Sequence, residues 1–233
     1  MIATLYVIPA PLGGAAQDAL PAAAADTVRR LRDFVAESPK SARAYLSALG
    51  MPCAMRELSI ARLDEHTSAR EVPALLAPLR AGRSLGLLSE AGCPGVADPG
   101  SELVYEAHRE GHRVVPLVGP SSILLALMAS GLGGQHFAFC GYLPREREQR
   151  KRRIRELEQR SRIERQTQIF IETPYRSRAL LAALLEACRP ETQLCVASEL
   201  TTAGETIAAR TVAEWRRRPL DPGEKPAVFL LLG

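Results

Sequence analysis

Apolar positions along the 233-residue chain fall into two kinds of run. Short unbroken runs bounded by proline or glycine read as buried strands: TLYVIP (4–9), SLGLLS (84–89) and HRVVPL (112–117). Between them lie segments of helical period. Residues 18–36 predict a helix followed by a short strand or helix end, and SARAYLSAL (41–49) a helix closed by Gly50. Residues 69–81 predict a helix that Pro73 and Pro78 can interrupt. SELVYEAHREG (101–111) offers Ser101 as an N-cap and Gly111 as a stop. SSILLALMASG (121–131) is apolar on nearly every side, which predicts a buried helix.

Strands that alternate with helices predict βαβ units and a mostly parallel sheet. The pattern then changes. HFAFCGYLP (136–144) precedes a highly charged helical stretch, followed by QIFIET (168–173), the helix SRALLAALLEACR (177–189), QLCVASEL (193–200), ETIAAR (205–210) and KPAVFLLLG (225–233). This half predicts a mixed sheet with fewer helices. The fold class is therefore α/β, in two α/β domains, expected at 1–133 and 134–233.

Charge changes the picture in one place. The net charge is +4, yet segment 145–165 alone holds ten Lys or Arg and five Glu, leaving the remainder close to neutral. A basic stripe suits a phosphate-bearing partner such as RNA, but glutamates at helical spacing also allow a solvated helix laced with ion pairs. The five scattered cysteines, Cys53, Cys93, Cys140, Cys188 and Cys195, predict no disulfide framework and no metal site. With no basic leader, cleavable core or membrane-length apolar run, the expected location is cytoplasmic.

The chemistry points to strand ends, where open α/β sheets bind ligands. SEAGCPGVADPG (89–100) follows a strand and is longer and stiffer than an ordinary βα connection. IPAPLGG (8–14) and LVGPSS (117–122) end two other strands, although Ser121 alone reads as a plain N-cap. No P-loop, dinucleotide fingerprint, HExxH or GxSxG is present. Cys93 has no visible partner base and reads as a small loop residue.

Five ordered stretches, SEAGCPGVADPG, VVPLVGPSSILLALMASGL, FAFCGYLP, FIETPYRS and SELTTAGETI, resemble the tetrapyrrole methylase family of S-adenosylmethionine-dependent methyltransferases. The branch most similar is the small-subunit ribosomal RNA cytidine 2'-O-methyltransferases. The resemblance implies two α/β domains with S-adenosylmethionine in the cleft between them, and a homodimer. It gives the cofactor Pro11, Leu12, Gly13, Glu90, Ala91, Gly92, Val96, Ser121, Ser122, Tyr142, Leu200, Pro226 and Ala227.

Where that branch has Glu-Asp-Thr-Arg, this chain has Glu37-Ser38-Pro39-Lys40, and its Ser-Asp-Ala-Gly-Thr-Pro appears with Glu90 and Cys93. The additional C-terminal helical segment of the branch does not follow Gly233. The acceptor therefore stays open between RNA, a tetrapyrrole or other small molecule, and no acceptor at all in a non-catalytic binding module. Glu37 is the expected catalytic base or anchor, with a surface carboxylate an equal reading. Lys40, His66, Glu172 and Arg176 are the substrate-side candidates. His66 also reads as a solvated loop residue, and Glu172 as a partner for Arg176.

Overall fold

Because β-branched and leucine-rich runs of four or five residues can bury both faces, they pair side by side as a parallel sheet. In the computed structural model, which describes residues 2–218 and 220–233, the chain forms two compact units that meet at Ser121–Ser122. The first contains β1 (Thr4–Ile8), α1 (Ala22–Arg29), β2 (Asp33–Ala36), α2 (Pro39–Ala48), β3 (Ser59–Arg62), α3 (Ala77–Arg80), β4 (Leu85–Leu88), α4 (Ser101–Arg109) and β5 (Arg113–Pro116). Its sheet runs β3-β2-β4-β1-β5, parallel at every pairing.

Adjacent residues of one strand serve opposite faces. Phe34 and Leu88 pack with Val28 and Leu46 on one side. Val35 and Leu87 pack with Leu76 and Leu103 on the other. Three local expectations change. The interrupting prolines divide 69–81 into a 3-10 turn, Val72–Leu76, and the single turn α3. The N-cap of α4 is Gly100, with φ 130°, and Ser101 is already helical. Strand β3 is additional to the expected strands: SIAR is a short edge strand whose only large apolar residue is Ile60.

The second unit contains α5 (Ser122–Ser130), β6 (Phe137–Tyr142), α6 (Arg147–Glu164), β7 (Thr167–Glu172), α7 (Ser177–Ala187), β8 (Gln193–Ser198), β9 (Thr206–Thr211), α8 (Val212–Arg217) and β10 (Ala227–Leu232). The sheet order is β6-β7-β10-β8-β9. Only β6 and β7 pair in parallel, and β10 runs antiparallel to both neighbours. Trp215 and Phe229 lie fully buried in its core, and the Trp215 indole N–H donates to the Leu194 carbonyl at 2.9 Å. Helix α8, absent from the sequence expectation, is started by a capping box between Thr211 and Glu214.

Helix α5 explains why the division falls at 121–122 and not at 133–134: it packs on β8, β9 and β10 of the second sheet. It is also only half buried. Ile123, Ala126 and Leu127 face the core, whereas Leu124 and Met128 are 51% and 79% exposed.

Candidate functional site

All five strands of the first sheet point the same way, so their carboxyl ends share one edge. Every candidate of the first unit lies on that edge or in the turns leaving it. Pro11, Leu12 and Gly13 follow β1. Glu37 follows β2, and Lys40 lies in the first turn of α2. His66 follows β3, Glu90, Ala91, Gly92 and Val96 follow β4, and Ser121 follows β5.

Backbone bonds knit the loops into a ledge. Ala10 and Gly92 exchange a pair of hydrogen bonds, Ala10 N to Gly92 O at 2.8 Å and Gly92 N to Ala10 O at 3.0 Å. The Ser89 hydroxyl also donates to Gly92 O, at 3.0 Å. Gly92 has φ +70°, and a β-carbon there would stand 3.3 Å from Leu12 Cδ2. The position is thus both left-handed and closely approached. Gly119 approaches Pro9 so closely that a β-carbon would lie 2.5 Å from Pro9 Cβ. Tyr45 donates its hydroxyl to the Pro9 carbonyl at 3.1 Å, fixing the β1 loop from α2. The Cys93 thiol donates to Pro120 O at 3.4 Å, and burial pushes that thiol up. Cys93 is a tie between two loops and a poor thiolate.

Two carboxylates on this edge, Asp98 and Glu37, are shifted by their surroundings. Burial, then repulsion from Glu37 and Glu90, lifts Asp98 to about 6. Burial, then repulsion from Glu90, Asp64 and Glu65, raises Glu37, and Arg62 opposes it. Asp98 was not among the predicted site residues. Its signal was present, an acid set between Gly95 and Pro99 in a loop of small residues. Lys40 stands exposed, while Ser38 caps α2 by accepting from Ser41 N at 3.2 Å. His66 is 80% exposed in a turn closed by Asp64, whose carboxylate accepts His66 N–H at 3.0 Å. The sheet edge brings Glu37, Glu90 and Asp98 into one field and leaves Lys40 and His66 facing solvent.

The remaining candidates belong to the second unit and again share an edge of its sheet. Tyr142 ends β6, Glu172 ends β7, Leu200 follows β8, and Pro226-Ala227 opens the antiparallel β10. Ser122 begins α5. Leu200 and Ala227 are buried, and Tyr142 is half exposed. Glu172 is 3% exposed and accepts the Arg176 guanidinium through both carboxylate oxygens, at 2.7 Å each, and Thr173 N at 2.7 Å. The pairing reading of Glu172 and Arg176 is the one the geometry supports. One Arg176 nitrogen, Nη1, is buried without a partner.

The edge of the first unit can accept a small cationic, partly apolar ligand. Glu37 and Glu90 beside Asp98, opposed by Arg62 alone among the charges that shift Glu37, make a net negative field, and a β-carbon at Gly92 would crowd Leu12. Among known proteins, the model for Tetrapyrrole (Corrin/Porphyrin) Methylases matches residues 4–215. "Ribosomal RNA small subunit methyltransferase I" of Mesorhizobium japonicum is 37% identical over 89% of this chain and 67% of that protein. Its namesake from Vibrio cholerae is 33% identical over 90% of this chain and 69% of that protein. The crystal structure of the methyltransferase CobJ superposes with a TM-score of 0.64 at 20% identity, covering 99% of this chain and 94% of that one. At that identity the likeness shows the fold.

Proposed function

The chain belongs to the tetrapyrrole methylase family and is a methyltransferase, and from this premise we propose that it transfers the methyl group of S-adenosylmethionine to a ribosomal RNA. The observation that carries the acceptor is the similarity, over about nine-tenths of the chain, to proteins named for small-subunit ribosomal RNA. The cofactor reading rests on the fit at the first sheet edge. Adenosylmethionine is positive at its sulfonium and ammonium, and Glu37, Glu90 and Asp98 give that edge the opposite sign. The Gly92 ledge, held by Ala10 and Ser89, offers backbone at close range. When bound, the cofactor supplies an electrophilic methyl group. Pro11, Leu12 and Gly13 line the same turn, and Cys93 holds the β4 loop against the β5 loop.

A hydroxyl acceptor must lose its proton as it is methylated. Asp98 and Glu37 have proton affinities raised toward neutrality, which suits a base working near pH 7. The Glu37-Ser38-Pro39-Lys40 stretch keeps that carboxylate and uses Ser38 and Pro39 to start α2. Tritium-labelled methyl donor incubated with small ribosomal subunits from cells lacking the gene should label their RNA. Label confined to small molecules would transfer the reading to a tetrapyrrole-like acceptor, and no label in any fraction would leave a binding module.

A further inference from the structure

We propose that one stripe of α6 is a groove for the RNA phosphodiester backbone; this rests on RNA being the acceptor. The charges of α6 sort into two groups. One group is spent within the protein. Arg153 pairs with Glu156 at 3.2 Å, Arg160 with Glu164 at 3.1 Å, Lys151 with Glu186 at 2.5 Å, and Arg147 with Glu186 at 3.4 Å. The other group faces a groove of about 640 Å³ between α6 and the end of α7, where Arg155, Arg162 and Arg189 converge beside Gln159. None of these three arginines enters an ion pair among the described residues. A second groove of about 330 Å³ continues past Arg155 to Arg152 and Glu148.

Positions 148, 152, 155, 159 and 162 recur every three or four residues and so form one face of the helix. The stripe extends about 20 Å at 1.5 Å per residue, the length of several nucleotides. Its carboxylates are engaged. Glu158 is 5% exposed and accepts Arg189 N–H at 2.8 Å and the Thr192 hydroxyl. Glu148 lies 3.7 Å from Lys151, and Arg152 stands 3.9 Å from Glu156. The neighbouring face of the helix buries Ile154 and Leu157. Arg155 and Arg162, which enter no ion pair among the described residues, thus meet Arg189 in one groove, whereas Arg150 turns its guanidinium to the Arg145 carbonyl. Guanidinium groups set along a line suit phosphates through paired N–H donors.

The test is fluorescence anisotropy with a labelled transcript of small-subunit ribosomal RNA across a salt series. The triple variant R155Q/R162Q/R189Q should bind roughly 10- to 100-fold more weakly, and its log–log salt slope should fall by about 2 to 3. The Arg→Lys triple keeps the charge but loses the paired N–H donors, so it should bind roughly 3- to 10-fold more weakly with a nearly unchanged slope. The single variants R155Q and R162Q, each expected to lower the slope by about 1, serve if the glutamine triple fails to fold. R160Q, which removes a paired arginine, should bind as the parent does. The groove is refuted if the glutamine triple binds within about twofold of the parent with an unchanged slope, or if R160Q weakens binding equally. If the parent binds adenosylmethionine yet neither binds nor methylates the transcript, the RNA reading fails and the groove with it. If the parent methylates RNA and the triple binds normally, only the groove is lost.

Discussion

Asp98 carries the most informative proton on the first sheet edge. Its carboxyl titrates near 6, against 3.8 for an unperturbed group. The folded state therefore binds a proton more tightly than the unfolded chain, and stability falls as pH rises between those values. Asp98→Asn removes the penalty. Melting at pH 8 should show a gain of about 1 kcal/mol, modest because the group is only half buried and water screens it. At about pH 3, below both values, the two proteins should melt alike. Catalysis should move in the opposite direction. Methyl transfer by the parent should fall as pH drops below about 6, and Asp98→Asn should be slow at every pH. A variant with the parent's full rate would exclude Asp98 as the base. Gly92 makes the second residue-scale test. Gly92→Ala adds a left-handed cost of about 1 kcal/mol and crowds Leu12. Cofactor affinity measured by calorimetry should drop more for Gly92→Leu than for Gly92→Ala, and equal, unchanged affinities would show that the ledge holds no ligand.

Elements read from sequence held where an apolar run was distinct, and faltered where it was not, as in β2, which is wholly buried yet reads as a short strand or helix end. Strands β1, β4 and β10 are almost wholly apolar and were legible to within a residue or two. Strand β3 was not, because an edge strand needs no continuous apolar run. Helix α5 reads as buried all round, but only one face finds a sheet. The same logic separates the site residues. Glu37 and Gly92 were visible as an acid and a glycine at strand ends. The coupling of Asp98 to Glu37 depends on the β2 and β4 loops converging, which no local window contains. On α6, periodicity gave the helix, but only its packing tells paired arginines from unpaired ones. Helix α6 also has a test of its own. Glu158→Ala leaves the buried Thr192 hydroxyl and the part-buried Arg189 N–H without their acceptor. Urea denaturation should show a loss of about 2 to 3 kcal/mol, whereas the exposed Arg162→Gln should cost less than about 0.5 kcal/mol.

Each unit of the molecule has its own closed core and its own sheet. A fragment of residues 122–233 should therefore melt cooperatively by circular dichroism, and a fragment without a thermal transition would show that its core needs more of the chain. Within that unit, β10 lies between β7 and β8, joining strands made tens of residues before it. During synthesis, β7 and β8 emerge with unpaired edges facing each other across a gap one strand wide. Until residues 227–232 leave the ribosome, both edges are open templates for a neighbouring chain. The first sheet waits in the same way for β4, which lies between β2 and β1, both made before it. Each half of the molecule thus needs dilution or a chaperone until its middle strand has been made.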